Sequence, residues 1–114
     1  MIDDYATTMA LIEQMKAQLP IPIYGSKNFI RSMLRQGVMV TRRQQLQIEE
    51  VLYGGDDGGI MCTLKGIGST DKVVVCSLTH LEIQKQHPLA EAIKAYQRER
   101  TRKLARERKE GKLI

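Results

Sequence analysis

The sequence has few aromatic residues and no long apolar run. Of its 114 residues, four are tyrosine, one is phenylalanine and none is tryptophan, so aliphatic residues and six methionines must fill most of the core. No run approaches the roughly 18 apolar residues of a transmembrane helix, and the start, Met1-Ile2-Asp3-Asp4, lacks the basic and apolar regions of a signal peptide. We therefore expect a cytoplasmic protein without a membrane partner.

The sequence also has few potential metal ligands. Cys62 and Cys76 both lie in apolar runs, which predicts reduced, buried thiols rather than a disulfide. A structural zinc site needs four ligands, and the only histidines, His80 and His87, stand at spacings that fit no zinc motif. The sequence therefore predicts no metal site and no cofactor.

No catalytic motif is recognisable. Ser77 and His80 are close in sequence, but side chains alternate along a strand, so the two would face opposite sides. The glycine-rich run 54–59 carries two aspartates at its centre, which would repel a phosphate, and no GK[ST] follows it. We interpret this run as a hairpin turn and predict that the protein is not an enzyme and has no catalytic residues. An enzyme with an unrecognised site is the minor alternative.

The positive charge is concentrated near the end of the sequence. The formal net charge is +5 at pH 7. Residues 1–84 contain eight basic and nine acidic residues, whereas residues 85–114 contain ten basic and four acidic residues. Such an asymmetry indicates an acidic partner or a basic tail.

Two helices are predicted in the first part of the chain. Residues 3–19 form an amphipathic pattern that Asp3 or Asp4 can cap. Ser26 can cap a second helix at 27–36. The apolar residues expected to face the core are Tyr5, Met9 and Ile12 in the first helix and Phe29, Ile30, Met33 and Leu34 in the second. The proline-containing linker between them predicts a helical hairpin or a helix-turn-helix-like pair.

Three strands are predicted next. Residues 46–53 are rich in strand-forming residues and end at the glycine-rich turn, and apolar runs at 60–64 and 73–78 follow. These strands predict a three-stranded antiparallel meander with helices covering one side. A capping box beginning at Thr41 leaves a helix over 42–53 as the alternative.

The last predicted element is a long basic helix that begins at His87-Pro88. Leu89, Ile93 and Tyr96 form a stripe that can pack on the sheet, and after Tyr96 the sequence has almost nothing to bury. The predicted fold is α+β: two N-terminal helices, the meander and this helix. We predict a compact domain over residues 1–97 and a projecting helical tail over 98–114.

The tail contains the strongest functional signal in the sequence. Basic residues at spacings of three and four line one side of a helix, and guanidinium groups suit phosphate because they present a planar fork of donors. The stripe comprises Arg98, Arg102, Arg106 and Lys109, and it is broadened by Arg100, Lys103 and Arg108. We predict that these seven side chains contact the backbone of RNA or DNA.

Other partners remain possible on the sequence alone. The same helix could meet an acidic protein surface or a second copy of the chain, and it could also be a solvated tail. If residues 42–53 were helical, they could form a winged-helix-like DNA-binding arrangement with helix 27–36. The basic residues Lys27, Arg31, Arg35, Arg42 and Arg43 would then lie near the DNA.

Overall fold

The computed structural model describes residues 2–65, 67 and 73–112. In chain order they form α1 (Tyr5–Ala17), β1 (Ile21–Gly25), α2 (Lys27–Arg35), β2 (Leu46–Tyr53), α3 (Gly55–Gly58), β3 (Ile60–Lys65), β4 (Val74–Ser77), a 3-10 turn (Leu78–His80), β5 (Leu81–Glu82) and α4 (Ala90–Lys112). The α+β class and the long C-terminal helix are confirmed. None of these described helices is both long enough and apolar enough to cross a membrane.

The described strands form one antiparallel sheet in the order β4-β3-β2-β1-β5. The predicted sheet of three strands is therefore wrong, because β1 and β5 extend it beyond β2. Residues 46–53 are a strand, as preferred, but residues 73–78 are strand only at β4 and then turn through Leu78–His80 into β5.

The predicted helical hairpin is also wrong, since the linker between α1 and α2 is strand β1. Ile21 and Ile23 are fully buried and both pair with β2. Pro22 has no N–H to give to a ladder. The strand tolerates it because β5 pairs only with Tyr24 and Gly25, so β1 has no second neighbour at Pro22.

The helix ends follow ordinary capping chemistry. The Asp4 carboxylate accepts a hydrogen bond from the Thr7 N–H at 3.0 Å, and the Ser26 hydroxyl accepts one from the Phe29 N–H at 3.2 Å. Gly37 follows α2 with a φ of 80°, which suits glycine. These caps agree with the sequence, except that Asp3 has a different role.

The core lies between the helices and one face of the sheet. In β3, Ile60, Cys62 and Leu64 are buried and alternate with more exposed residues. The helices contribute Leu11, Ile12 and Met15 from α1, Phe29 and Met33 from α2, and Leu89 and Ile93 before and within α4. Packing of the last helix through Leu89 and Ile93 is therefore confirmed.

Two residues predicted to face the core are exposed instead. Tyr5, at the first position of α1, is 64% exposed, and Leu34 is 59% exposed. In α2, Phe29 and Met33 form the buried row. Leu34 points about 120° around the helix axis from the middle of this row, and it is therefore turned toward solvent.

Candidate nucleic-acid interface

The first half of α4 is anchored to the sheet edge. Ile93 is fully buried, and the Gln97 side-chain amide donates to the backbone carbonyl oxygens of Leu78 and Leu81, both at 2.7 Å. The helix is therefore held against the 3-10 turn and β5 by packing and by paired hydrogen bonds.

Arg100 makes the last deep contact of α4 with the fold. Its guanidinium donates to the Asp3 carboxylate at 3.0 Å, and both side chains are only 2% exposed. The same guanidinium donates to the Asp56 backbone carbonyl at 2.6 Å. Arg100 thus links the segment before α1 and the turn after β2 to α4, beyond the domain end predicted at Gln97.

Two tyrosines complete this buried polar group. The hydroxyls of Tyr53 and Tyr96 both donate to Asp3 Oδ2, at 3.2 and 3.0 Å, and the Tyr96 hydroxyl accepts from the Ile60 N–H at 2.9 Å. Burial is the main cause that raises the pKa of Tyr96. Both carboxylate oxygens of Asp3 and both tyrosine hydroxyls therefore have partners, which buried polar groups require.

The remaining predicted residues lie outside this cluster. Arg98, Arg102, Arg106, Arg108 and Lys109 are exposed, and Lys103 is half-buried with 31% of its side chain accessible. At 3.6 residues per turn, Arg98, Arg102, Arg106 and Lys109 lie on the side of α4 opposite Ile93 and Arg100. We call these four residues the basic stripe.

Part of the positive charge is already paired within the helix. The Glu99 carboxylate accepts from Arg102 at 2.5 Å and lies 3.9 Å from the Lys103 ammonium. The bond with Arg102 lowers the pKa of Glu99 and raises the pKa of Arg102. Among the described side chains, no ion pair involves Arg98, Arg106, Arg108 or Lys109.

Sequence reasoning missed the buried role of Arg100. The signal was its position seven residues after Ile93, which places it on the core-facing side of the helix. Its residue type did not indicate burial, because Arg100 is one of a run of similar basic residues. Asp3 was considered only as a possible helix cap.

The second basic cluster does not form a helix-turn-helix. Lys27, Arg31 and Arg35 are exposed on α2, and Arg42 pairs with Glu82 at 3.3 Å on the surface. The segment that the winged-helix alternative needs as a recognition helix is strand β2. This alternative therefore lacks the element that would enter the major groove.

A groove of about 500 Å³ runs between α1 and α4 beside the stripe. Its lining includes Ala10, Leu11, Ala92 and Ala95, together with Asp3 and Arg100. The side-chain oxygen and nitrogen atoms buried in the described part of the protein all have hydrogen-bond partners. The groove therefore offers a mainly apolar wall and no unsatisfied buried polar group.

The described residues contain no group of three or more His, Cys, Asp or Glu side chains placed to hold a metal ion. Cys62 and Cys76 are free thiols in register on β3 and β4. Burial raises the pKa of both thiols, to about 12 for Cys76. A raised pKa disfavours the reactive thiolate at neutral pH.

Comparison of the chain with models of protein families, with curated proteins and with solved structures gave no match.

Proposed function

We propose that the protein binds the backbone of nucleic acid through the exposed cations of α4. The observation that supports this proposal is the basic stripe: four cations lie on one solvent-facing side of a helix whose opposite side holds it to the fold. Arg108 adds a fifth exposed charge. The protein would act as a small accessory module in the cytoplasm.

The chemistry of the stripe suits phosphate. Arginine presents several N–H donors in a fixed plane and stays charged at any physiological pH. Successive members of the stripe rise about 4.5–6 Å along the helix axis, so neighbouring side chains can reach successive phosphates. About four such contacts would give a logarithmic salt slope of about −3.6 on duplex DNA.

The experiment is fluorescence anisotropy of labelled duplexes and single strands with the intact chain, at ~50 and ~200 mM salt. The test variant is Arg98→Glu/Arg106→Glu, and the matched control is Lys27→Glu/Arg31→Glu, which makes the same charge change on α2. Circular dichroism and the urea midpoint of each variant establish that it is folded.

We expect binding that weakens steeply with salt, a loss of at least tenfold in the test variant and a loss below threefold in the control. No binding by the intact chain at the lower salt would overturn the proposal. Equal losses in both variants would show that the affinity depends on net charge and not on α4.

A protein partner is the competing proposal, and it uses the same helix. Either an acidic protein surface or a second copy of the chain would pair with the stripe. Light scattering at several concentrations separates the second case, since a dimer through α4 would have twice the monomer mass and would dissociate in Arg98→Glu/Arg106→Glu.

A further inference from the structure

We infer that the ligand is duplex DNA in the B form, and that α4 beyond Arg100 lies in its major groove. This inference rests on the proposed function and names the class of nucleic acid. It is supported by the exposure of the helix after Arg100, the distribution of cations around its axis and the position of its nearest aromatic residue.

The helix leaves the fold after Arg100. Among residues 101–109, whose side chains the structure describes, Thr101, Arg102 and residues 105–109 are exposed and Lys103 and Leu104 are half-buried. The helical segment from Thr101 to Lys112 is about 18 Å long at 1.5 Å per residue. A helix with its side chains is about 10–12 Å across, and the major groove of B-DNA, about 12 Å wide, admits one.

Cations lie on both flanks of this segment and on the outer side between them. Arg106 and Arg108 are two positions apart and therefore point about 200° apart around the axis, and Arg102 lies on the Arg106 flank. A helix lying outside one strand would use a single flank. A helix within a groove has a phosphate wall on each side, and both flanks then find phosphate.

The side of the helix between the flanks also suits a groove. Ala105 and Lys109 are exposed and lie between Arg106 and Arg108 on the outer side. The small side chain of Ala105 permits close approach to base edges, and the Lys109 ammonium can donate to acceptors on those edges. Glu107 is two positions on and points to the opposite, core-facing side. Its carboxylate would therefore be directed away from the groove floor.

Single strands and duplex RNA fit this helix less well. Binding to single strands relies on aromatic stacking, and no aromatic residue follows Tyr96 in the sequence. The Tyr96 hydroxyl is bound to Asp3 and the ring is half-buried. In duplex RNA the major groove is deep and too narrow for side chains to read.

The test measures anisotropy with one sequence in four forms: DNA duplex, RNA duplex, single-stranded DNA and single-stranded RNA. We expect the DNA duplex to bind at least tenfold more tightly than the other three. Equal binding of all four forms would overturn the groove placement and leave the proposed function standing. Absence of binding to every form would overturn both.

Single charge reversals on the two flanks test the geometry. Arg106→Glu and Arg108→Glu should each weaken binding to the DNA duplex by about fivefold or more and by similar factors, while Arg31→Glu on α2 should leave the affinity within twofold. A loss confined to Arg106→Glu would place the helix along the outside of one strand and would overturn the inference. Displacement of the protein from the DNA duplex by a ligand that binds the minor groove would overturn the inference as well.

Discussion

At the scale of single residues, the pair between Asp3 and Arg100 combines two charges that are almost completely buried. Removing one partner leaves the other charge without compensation in the interior, which typically costs 3–5 kcal/mol. We therefore expect Asp3→Ala to lower the free energy of unfolding by about 3 kcal/mol or more, measured by urea denaturation.

A second variant keeps this prediction specific. Asp3→Leu/Arg100→Met removes both charges and replaces them with apolar groups, which is often far less harmful than removing one. The double variant should therefore lose less unfolding free energy than the sum of the losses of the two single variants, Asp3→Leu and Arg100→Met. A loss below about 1 kcal/mol for Asp3→Ala would show that solvent reaches the pair.

Gly59 has a backbone conformation that only glycine adopts readily, with φ 66° and ψ −137°. A Cβ at this position would contact the Tyr96 hydroxyl and would lie 2.8 Å from Arg100 Nε. We expect Gly59→Ala to cost about 3 kcal/mol or more, because strain and a clash with the buried polar group add together.

Gly37 provides the control for Gly59. It also has a positive φ, 80°, but nothing lies within 4 Å of a Cβ built there. Gly37→Ala should therefore cost only about 1 kcal/mol, the backbone strain alone. Equal losses for the two variants in thermal denaturation would rule out the clash at Gly59.

The buried thiol of Cys62 and the half-buried thiol of Cys76 predict a loss of stability at alkaline pH. Burial raises the pKa of Cys76 from 9.0 to about 12, so the unfolded chain loses this proton before the folded chain does. The contribution of the Cys76 thiol to the free energy of unfolding is therefore fully present below pH 9 and falls as the pH rises from 9 to 12. The urea midpoint should fall over this range, and less steeply in Cys76→Ala; identical slopes would contradict the prediction.

At the scale of elements, the local chemistry of the helix ends was predictable and the outer strands were not. Ser26 and Gly37 were identified from their types and positions because capping depends on neighbouring residues. β5 comprises two residues, and it forms only because the chain returns to pair with Tyr24 and Gly25. No local pattern specifies such a pairing. The prolines near β1 indicate a linker when only the sequence is considered, because the pairing of β1 with β2 does not show in it.

The Ser26 cap gives a prediction at this scale. Ser26→Ala removes the acceptor for the Phe29 N–H and should lower the free energy of unfolding by about 1 kcal/mol. Ser32→Ala, in the interior of the same helix, should be neutral or slightly stabilising because alanine favours helix. A similar loss in both variants would show that the hydroxyl at Ser26 has no capping role.

At the scale of the whole molecule, one part of the candidate site was predictable from the sequence and one part was not. The exposed cations followed from helical spacing and composition. The burial of Arg100 depends on a contact with Asp3 across 97 positions, and neither residue's neighbours specify it. One of the seven predicted ligand side chains is therefore committed to the interior.

Truncation of α4 tests whether Arg100 has a structural role that the exposed cations beyond it do not share. A chain ending at Leu104 keeps Arg100 and removes the exposed cations beyond it, whereas a chain ending at Gln97 also removes the partner of Asp3. The first should retain most of the stability of the full chain, and the second should lose about 3 kcal/mol or more in urea denaturation. Equal stability of the two chains would contradict the structural role assigned to Arg100.

The contact between Asp3 and Arg100 also has a consequence for the order of folding. A ribosome adds Arg100 after every described strand of the sheet has been made, so the sheet can assemble while Asp3 still lacks the positive charge that pairs with it. Closing so long a loop requires most of the chain to be in place first. The pair would then form after the transition state for folding, and it would slow unfolding more than it speeds folding.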